Sequence, residues 1–429
     1  ARRLAAVLAD VAGPAGATGA AAVAGPAGAA VAGARLPLDP VHDARLTGAL
    51  LAAARPGPVA AGAPLDGPGP TSVAHWWATL DAEERDRLTA ERPELVGGLD
   101  GIPARDRDRA NRRRLADARR DARVEEETLD AARDGVGGFG DLQDLEGRLD
   151  AVRARLGRLA AVDAAAAGPG HELLDLDPAS GRAAVAVGDL DHAGHVGVFV
   201  PGFTARPEDL PDRVAELDAL AARAGPDTAV VAWYDYAAPQ WSGVADPARS
   251  VLSTRPATDA AGRLASFLTG VDASRTRDPV HLTAIGHSYG TLTVAQALPA
   301  ARDVDDVVLL GSPGVTPPPQ RPGHVWLAEA RGDPIADTGW FGADPSSWPG
   351  VRGLATGPQP SRTAPSGATL PATAGSWGHE GYLRPGSTSA AGVAAVVAGR
   401  PGDVVEDRTT GAGDRLRGLL GGRALRPGA

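Results

Sequence analysis

Residues 284–292 read "AIGHSYGTL", with Ser288 held between Gly286 and Gly290. This G-x-S-x-G run lies between an apolar strand-like stretch and a helix-like one, the context in which it presents a serine on a sharp turn. A serine hydroxyl attacks a carbonyl only when a base takes its proton. Where a serine is presented this way, an acid and then a histidine follow it in the chain. Two histidines follow Ser288, and His324 opens a strand at the wrong end of the sheet. His379, in "GSWGHEGYL", is the base that fits. Asp333, in "EARGDPI" just past a strand, is the acid that would fix its tautomer, with Asp337 and Asp344 as rivals. The preceding loop, "GSPG", offers no carboxylate. A developing oxyanion needs two N–H donors. Tyr289, after the serine, offers one, and Phe203 or Thr204, after "VFVPG", offers the other.

The elements that must position these groups alternate. "ELLDLD" and "RAAVAVGDL" flank the turn "PASG" and predict an antiparallel hairpin. Strands follow at 195–202, 228–236, 280–286, 306–314 and 324–334, with helices at 207–223, 258–269 and 289–299 and another after His379. That order predicts a mostly parallel sheet covered on both faces, with loops gathered at its carboxyl edge. Upstream, 71–164 reads as helix throughout, with Thr71 and Ser72 as N-caps. From Leu142 to Val162 apolar residues recur in steps of three and four, painting one helical face. "GVGGFG" at 135–140 breaks the helix and has no strand before it, so it is no phosphate loop. The domain boundaries read as 1–70 (rich in Ala, Gly and Pro, with short helices near 1–10 and 40–54), 71–168 (helical), 169–400 (catalytic) and 401–429 (tail).

Aromatic residues make up 4% of the 429-residue chain, so their placement carries weight. Trp233, Tyr234 and Trp241 follow one strand, and Trp340 and Phe341 lie between Asp333 and His379; all five are candidates to line an acyl pocket. The interval 334–378 reads equally as a cap over the site or as a floppy insertion whose aromatics pack into the core.

Composition narrows the function classes. The absence of cysteine excludes disulfides, thiolate metal sites and a thiol nucleophile. A net charge of −10 argues against nucleic acid or an anionic membrane as partner. The Arg-rich run 105–123 is interleaved with acids and reads as a solvated helix. His192 and His195 are spaced as metal ligands, but a turn explains them better, and neither metal nor cofactor is expected. No apolar run is long enough to span a membrane, and Asp10 ends the first one too early for a signal peptide. The compartment stays open, with the cytoplasm favoured over secretion.

Several segments together resemble one family. They are "HWWATL", "PELVGGLDGIPARDRDRANRRRL", "LLDLDPASGRAAVAVGDLDHAGHVGVFVPGF", "GHSYGTL", "GSPG" and "HEGYL". The chain is similar over about 70–385 to actinobacterial α/β-hydrolases of unassigned function that carry a helical region ahead of the hydrolase domain. The resemblance implies an α/β-hydrolase fold and matches Ser288, Asp333 and His379 to triad positions; it implies no substrate. The leading expectation is a serine esterase or lipase acting on a small acyl substrate, with peptidase and acyltransferase chemistry sharing the same residues. The other is a scaffold on a hydrolase frame, docking a protein partner through its helical region.

Overall fold

A computed structural model describes residues 69–135, 138–240, 253–275, 279–320, 324–336, 338–365 and 367–407. The short helices expected near 1–10 and 40–54, the aromatic Trp241 and the rival acid Asp337 lie outside the described residues.

Five helices come first: α1 Pro70–Thr79, α2 Ala82–Glu91, α3 Pro93–Gly98, α4 Ala104–Ala132 and α5 Phe139–Ala166. Gly69, not Thr71 or Ser72, caps α1, because Pro70 takes the first helical position, where its missing N–H costs nothing. Asp81 caps α2 in a reciprocal box with Glu84. The helices α4 and α5 form a long antiparallel pair, broken where the glycine run stands. Its seam is the predicted stripe: Leu145, Leu149 and Val152 pack on Ala122 and Leu129.

The main sheet has eight strands in the order β1-β2-β4-β3-β5-β6-β7-β8. They are β1 His171–Asp177, β2 Arg182–Val187, β3 His195–Val200, β4 Thr228–Trp233, β5 His281–His287, β6 Asp306–Leu310, β7 Val325–Ala328 and β8 Val351–Gly353. The first hairpin is antiparallel, β2 joins β4 antiparallel, and every later pairing is parallel. Helices α6 Leu210–Ala224, α7 Arg255–Ala273, α8 Gly290–Ala297 and α9 Thr388–Val397 cover it. Alternate residues of the strands feed two cores. Val196, Val198 and Leu282 pack with Leu264 and Leu292 on the α7–α8 side. Phe199, Ile285 and Val308 pack with Leu217 and Val393 on the α6–α9 side.

Strands β6 and β7 are shorter than the sequence suggested. Both stop where the chain turns outward to form the carboxyl rim. The interval 334–378 is not a loose insertion: it adds β8 to the sheet and then folds into a small hairpin, β9 Arg362–Thr363 with β10 Thr369–Leu370. Strands of two or three residues leave no periodicity to read.

The helical region is stitched to the sheet by its own polar side chains. Buried Asn111 donates to the carbonyls of Gly97 (3.0 Å) and Leu173 (3.1 Å). Asp108 accepts from the Leu173 N–H (2.7 Å), and Arg112 donates to the carbonyls of Ala166 and His171. In return Asp191 accepts the N–H groups of Ala104 and Arg105, two orphan donors of the first turn of α4. Asp100 ties the same region to α7 through Ser266 (2.6 Å). The motif around Gly101–Arg112 is thus a clamp between two layers.

Candidate active site

The chain leaves β5 at His287 and enters α8 at Gly290, with Ser288 between them at φ 53°. A left-handed backbone costs a non-glycine residue about 1–2 kcal/mol, so the surroundings must hold it. The Ser288 N–H donates to the Leu310 carbonyl (2.8 Å), and the Ser288 carbonyl accepts from the N–H and hydroxyl of Thr291 (3.0 and 2.7 Å). The two flanking glycines answer a steric demand. A Cβ at Gly286 would stand 2.6 Å from Thr291 Cα, and one at Gly290 would stand 2.3 Å from the Val200 carbonyl oxygen. Gly202, from the loop after β3, comes as close to Ser288: its Cβ would lie 2.6 Å from that of the serine.

Asp333 lies just beyond β7 with its side chain wholly excluded from solvent. One carboxylate oxygen accepts from the N–H groups of Ile335 (2.8 Å) and Ala336 (3.3 Å). The other accepts from the Tyr382 hydroxyl (2.5 Å), and both stand 2.9 Å from His379 Nδ1. Burial alone would push this carboxyl up. The hydrogen bonds from His379 and Tyr382, with the Ile335 N–H, outweigh it and hold the carboxyl below its usual range. Facing an ionised carboxylate, His379 Nδ1 carries the proton, so Nε2 is an acceptor. Gly311 makes the meeting possible. It opens the loop after β6 at φ 55°, and a Cβ there would sit 2.6 Å from Asp333 Oδ2 and 3.1 Å from His379 Nδ1. The "GSPG" loop thus offers room to the acid rather than an acid of its own.

The histidine loop is held from beneath. His287 Nε2 donates to the His379 carbonyl (2.7 Å), and the two rings lie 4.8 Å apart. Burial first, and then the neighbouring His379 and Arg213, push His287 down to about 3, so it is neutral. The Gly378 N–H donates to the Arg331 carbonyl (3.0 Å), and the Tyr382 hydroxyl also accepts from the Ala330 N–H (2.9 Å). No hydrogen bond joins Ser288 to His379 among the described residues. They share one rim nonetheless: Ser288 binds Leu310, and the next residue, Gly311, touches Asp333 and His379.

Of the expected oxyanion donors, the Tyr289 N–H has no acceptor among the described residues. The Thr204 N–H is committed to the Pro239 carbonyl (2.9 Å), and Phe203 precedes it on that loop. The Tyr236 hydroxyl fixes the loop by donating to the Pro201 carbonyl.

The aromatic expectations divide. Trp233 and Tyr234 do not line a cleft. Trp233 is buried at the end of β4, stacked on Tyr236 with ring centroids 6.0 Å apart, and Tyr234 is buried in the opposite core. Both faces of β4 are covered, so its aromatic residues are spent on packing. Phe341 is half-buried and meets the Tyr289 ring edge-on at 5.3 Å, held by the Pro313 carbonyl and the Thr316 hydroxyl. Trp340 beside it is 60% exposed.

The rival acid Asp344 instead caps a short 3-10 turn by accepting from the Ser346 N–H (2.8 Å). His324 sits at the opposite edge of the sheet with Asp306 (3.3 Å). His192 pairs with Asp189 (2.9 Å). His287, His379 and Glu380 bring ligand atoms within 4.8 Å of one another. His287 Nε2 donates to a carbonyl and His379 Nδ1 to Asp333, which leaves His287 Nδ1, His379 Nε2 and the Glu380 carboxylate as the remaining polar atoms of this group. Sequence reasoning missed His287, Tyr382 and Gly311 as positioning residues, although each stands in or beside a segment it singled out.

A family model described as alpha/beta hydrolase matches residues 177–343. An uncharacterized protein of Mycobacterium bovis is 38% identical over 221 residues, which cover 46% of this chain and 83% of that protein. The chain belongs to the alpha/beta hydrolase family. Within that family an uncharacterized protein of Mycobacterium tuberculosis is 32% identical over 303 residues, covering 64% of this alpha/beta hydrolase chain and 45% of the relative. The chain thus spans about half the length of that relative. Among solved structures, a hormone-sensitive lipase from a metagenome library aligns with 44% of the chain and 57% of its own at 14% identity, with a TM-score of 0.23.

Proposed function

We propose that the chain is a serine hydrolase of esterase type, acting on an acyl ester through Ser288, His379 and Asp333. The observation that carries the reading is the buried, ionised Asp333 holding His379 Nδ1 at 2.9 Å while Ser288 occupies a forced left-handed corner on the same rim. Ser288 Oγ attacks the carbonyl as its proton passes to His379 Nε2. The imidazolium is stabilised by Asp333, which Tyr382 and two backbone N–H groups keep in place. The N–H groups of Tyr289 and Phe203 receive the oxyanion, and each such donor is worth about 10²–10³ in rate. His379 returns the proton to the leaving alcohol, and water then repeats the sequence to release the acid. Phe341 and Trp340 supply apolar contact for the acyl group.

The test is covalent labelling with a fluorophosphonate, alongside hydrolysis of p-nitrophenyl esters of graded chain length. Labelling at Ser288 and its loss in Ser288→Ala are expected, with thermal stability retained. Well-folded protein that neither labels nor turns over would sink the proposal in favour of a scaffold role.

A further inference from the structure

Away from the rim, a cavity of about 500 Å³ opens between α9, the β9–β10 hairpin and the end of α6. Its wall on α9 is small: Thr388, Ala391, Gly392 and Ala395. Three arginines converge on it from three parts of the chain: Arg223 in the last turn of α6, Arg362 at the start of β9, and Arg400 beyond α9. Among the described residues the one carboxylate in the lining is Asp403. In a chain with a net charge of −10, the described lining residues set three guanidiniums against one carboxylate.

Structural duties account for part of this cluster. Arg400 pairs with Asp403 (3.2 Å) and donates to the Ala224 carbonyl (2.9 Å), capping the C-terminus of α6, where cations are favoured. Arg362 donates to the Asp403 backbone carbonyl. Arg223 has neither a hydrogen bond nor an ion pair among the described residues. Burial alone holds its guanidinium below the usual value, with no carboxylate acting to raise it. A half-buried cation without a counter-charge, facing a cavity beside two more, loses hydration and gains nothing from the fold.

We propose that this cavity is a binding site for a phosphate monoester, with the phosphoryl group between Arg223, Arg362 and Arg400 and the organic part against α9 and the hairpin. The charges match, because a phosphate monoester is close to a dianion at neutral pH. The geometry matches too, because guanidinium forks bind phosphate oxygens in pairs. Threonine hydroxyls at Thr369 and Thr373 and the Gln359 side chain line the remainder and suit a small body with polar edges. The site uses none of the residues assigned to ester hydrolysis.

Isothermal titration calorimetry on the full chain tests it, with phenyl phosphate, inorganic phosphate and succinate as probes in about 0.1 M salt. Saturable binding of phenyl phosphate with a Kd below about 1 mM is expected, tighter than inorganic phosphate and tighter than succinate. Arg223→Gln should weaken it about tenfold or more, the value of a charged hydrogen bond. Its melting temperature should be unchanged, since Arg223 holds nothing else. Arg362→Gln should weaken binding as well, and Ser288→Ala should bind as the parent does. The proposal is overturned by an absence of saturable binding up to about 10 mM, by binding that ignores both arginine substitutions, or by loss of binding in Ser288→Ala. Succinate binding as tightly as phenyl phosphate would assign the site to dianions at large. Equal binding of inorganic phosphate would assign it to the free ion.

Discussion

Asp333→Asn separates the orienting role of the carboxylate from its packing, because the two side chains have nearly the same shape. In the parent, four donors converge on this group: His379 Nδ1–H, the Tyr382 hydroxyl, and the N–H groups of Ile335 and Ala336. An amide offers one oxygen and two N–H donors in place of two acceptor oxygens. If its oxygen stays with Ile335 and Ala336, its NH2 faces His379 Nδ1 and Tyr382. The only accommodation open to His379 is to move its proton to Nε2, which leaves it unable to take the Ser288 proton. A wrong tautomer of this kind lowers turnover by about 10⁴. The stability loss should be smaller: two charge-assisted hydrogen bonds replaced by neutral or strained ones, about 2–4 kcal/mol. Turnover of a p-nitrophenyl ester near neutral pH and urea unfolding by circular dichroism give the two numbers. A folded variant within about tenfold of the parent would refute the argument, since no intact orienting acid would then be required.

Other outcomes follow from the same contacts. His287→Phe keeps the stacking on Phe199 but removes the donor to the His379 carbonyl; kcat should fall about tenfold while KM changes little, read from steady-state kinetics. Asn111→Leu leaves the Leu173 and Gly97 carbonyls without their donor and should cost about 2–4 kcal/mol in chemical denaturation. His281, raised first by its contact with Asp306 (3.1 Å), makes a contribution fully present below its unfolded pKa near 6.5, which is lost as pH rises through the higher folded value. The stability difference between the parent and His281→Gln, measured by urea unfolding from pH 5 to 9, should therefore shrink with rising pH. A difference that grows would contradict the assignment.

The Ser288 corner was legible because its demands are written locally: two glycines, a strand before and a helix after. His379 could be placed because only two histidines follow the serine, and Asp333 because it stands just past a strand, and the structure brings this pair together. What holds them was not legible. Tyr382 and His287 act through contacts across 49 and 92 positions of chain, and no local pattern reports such a pairing. The misplaced aromatics had a similar cause. The run "VVAWY" reads alike for a strand that ends at a cleft and for one buried on both faces, and only the position of β4 between β2 and β3 decides. The parallel sheet was legible from alternation, whereas β8 needed neighbours that the sequence does not announce.

The clamp on β1 has a consequence for solubility. An outermost strand offers unpaired N–H and carbonyl groups, a template on which another chain can add itself. On β1 the carbonyl of His171 and both backbone groups of Leu173 are taken by Arg112, Asn111 and Asp108. At the other margin the 405–407 segment lies along β8 and the two residues after it: the Ala355 N–H donates to the Val405 carbonyl and the Asp407 N–H to the Gly353 carbonyl. Both outer strands of the sheet therefore have backbone groups taken up from within the chain, and trimming away the helical region would free those of β1 as a template for strand-to-strand aggregation.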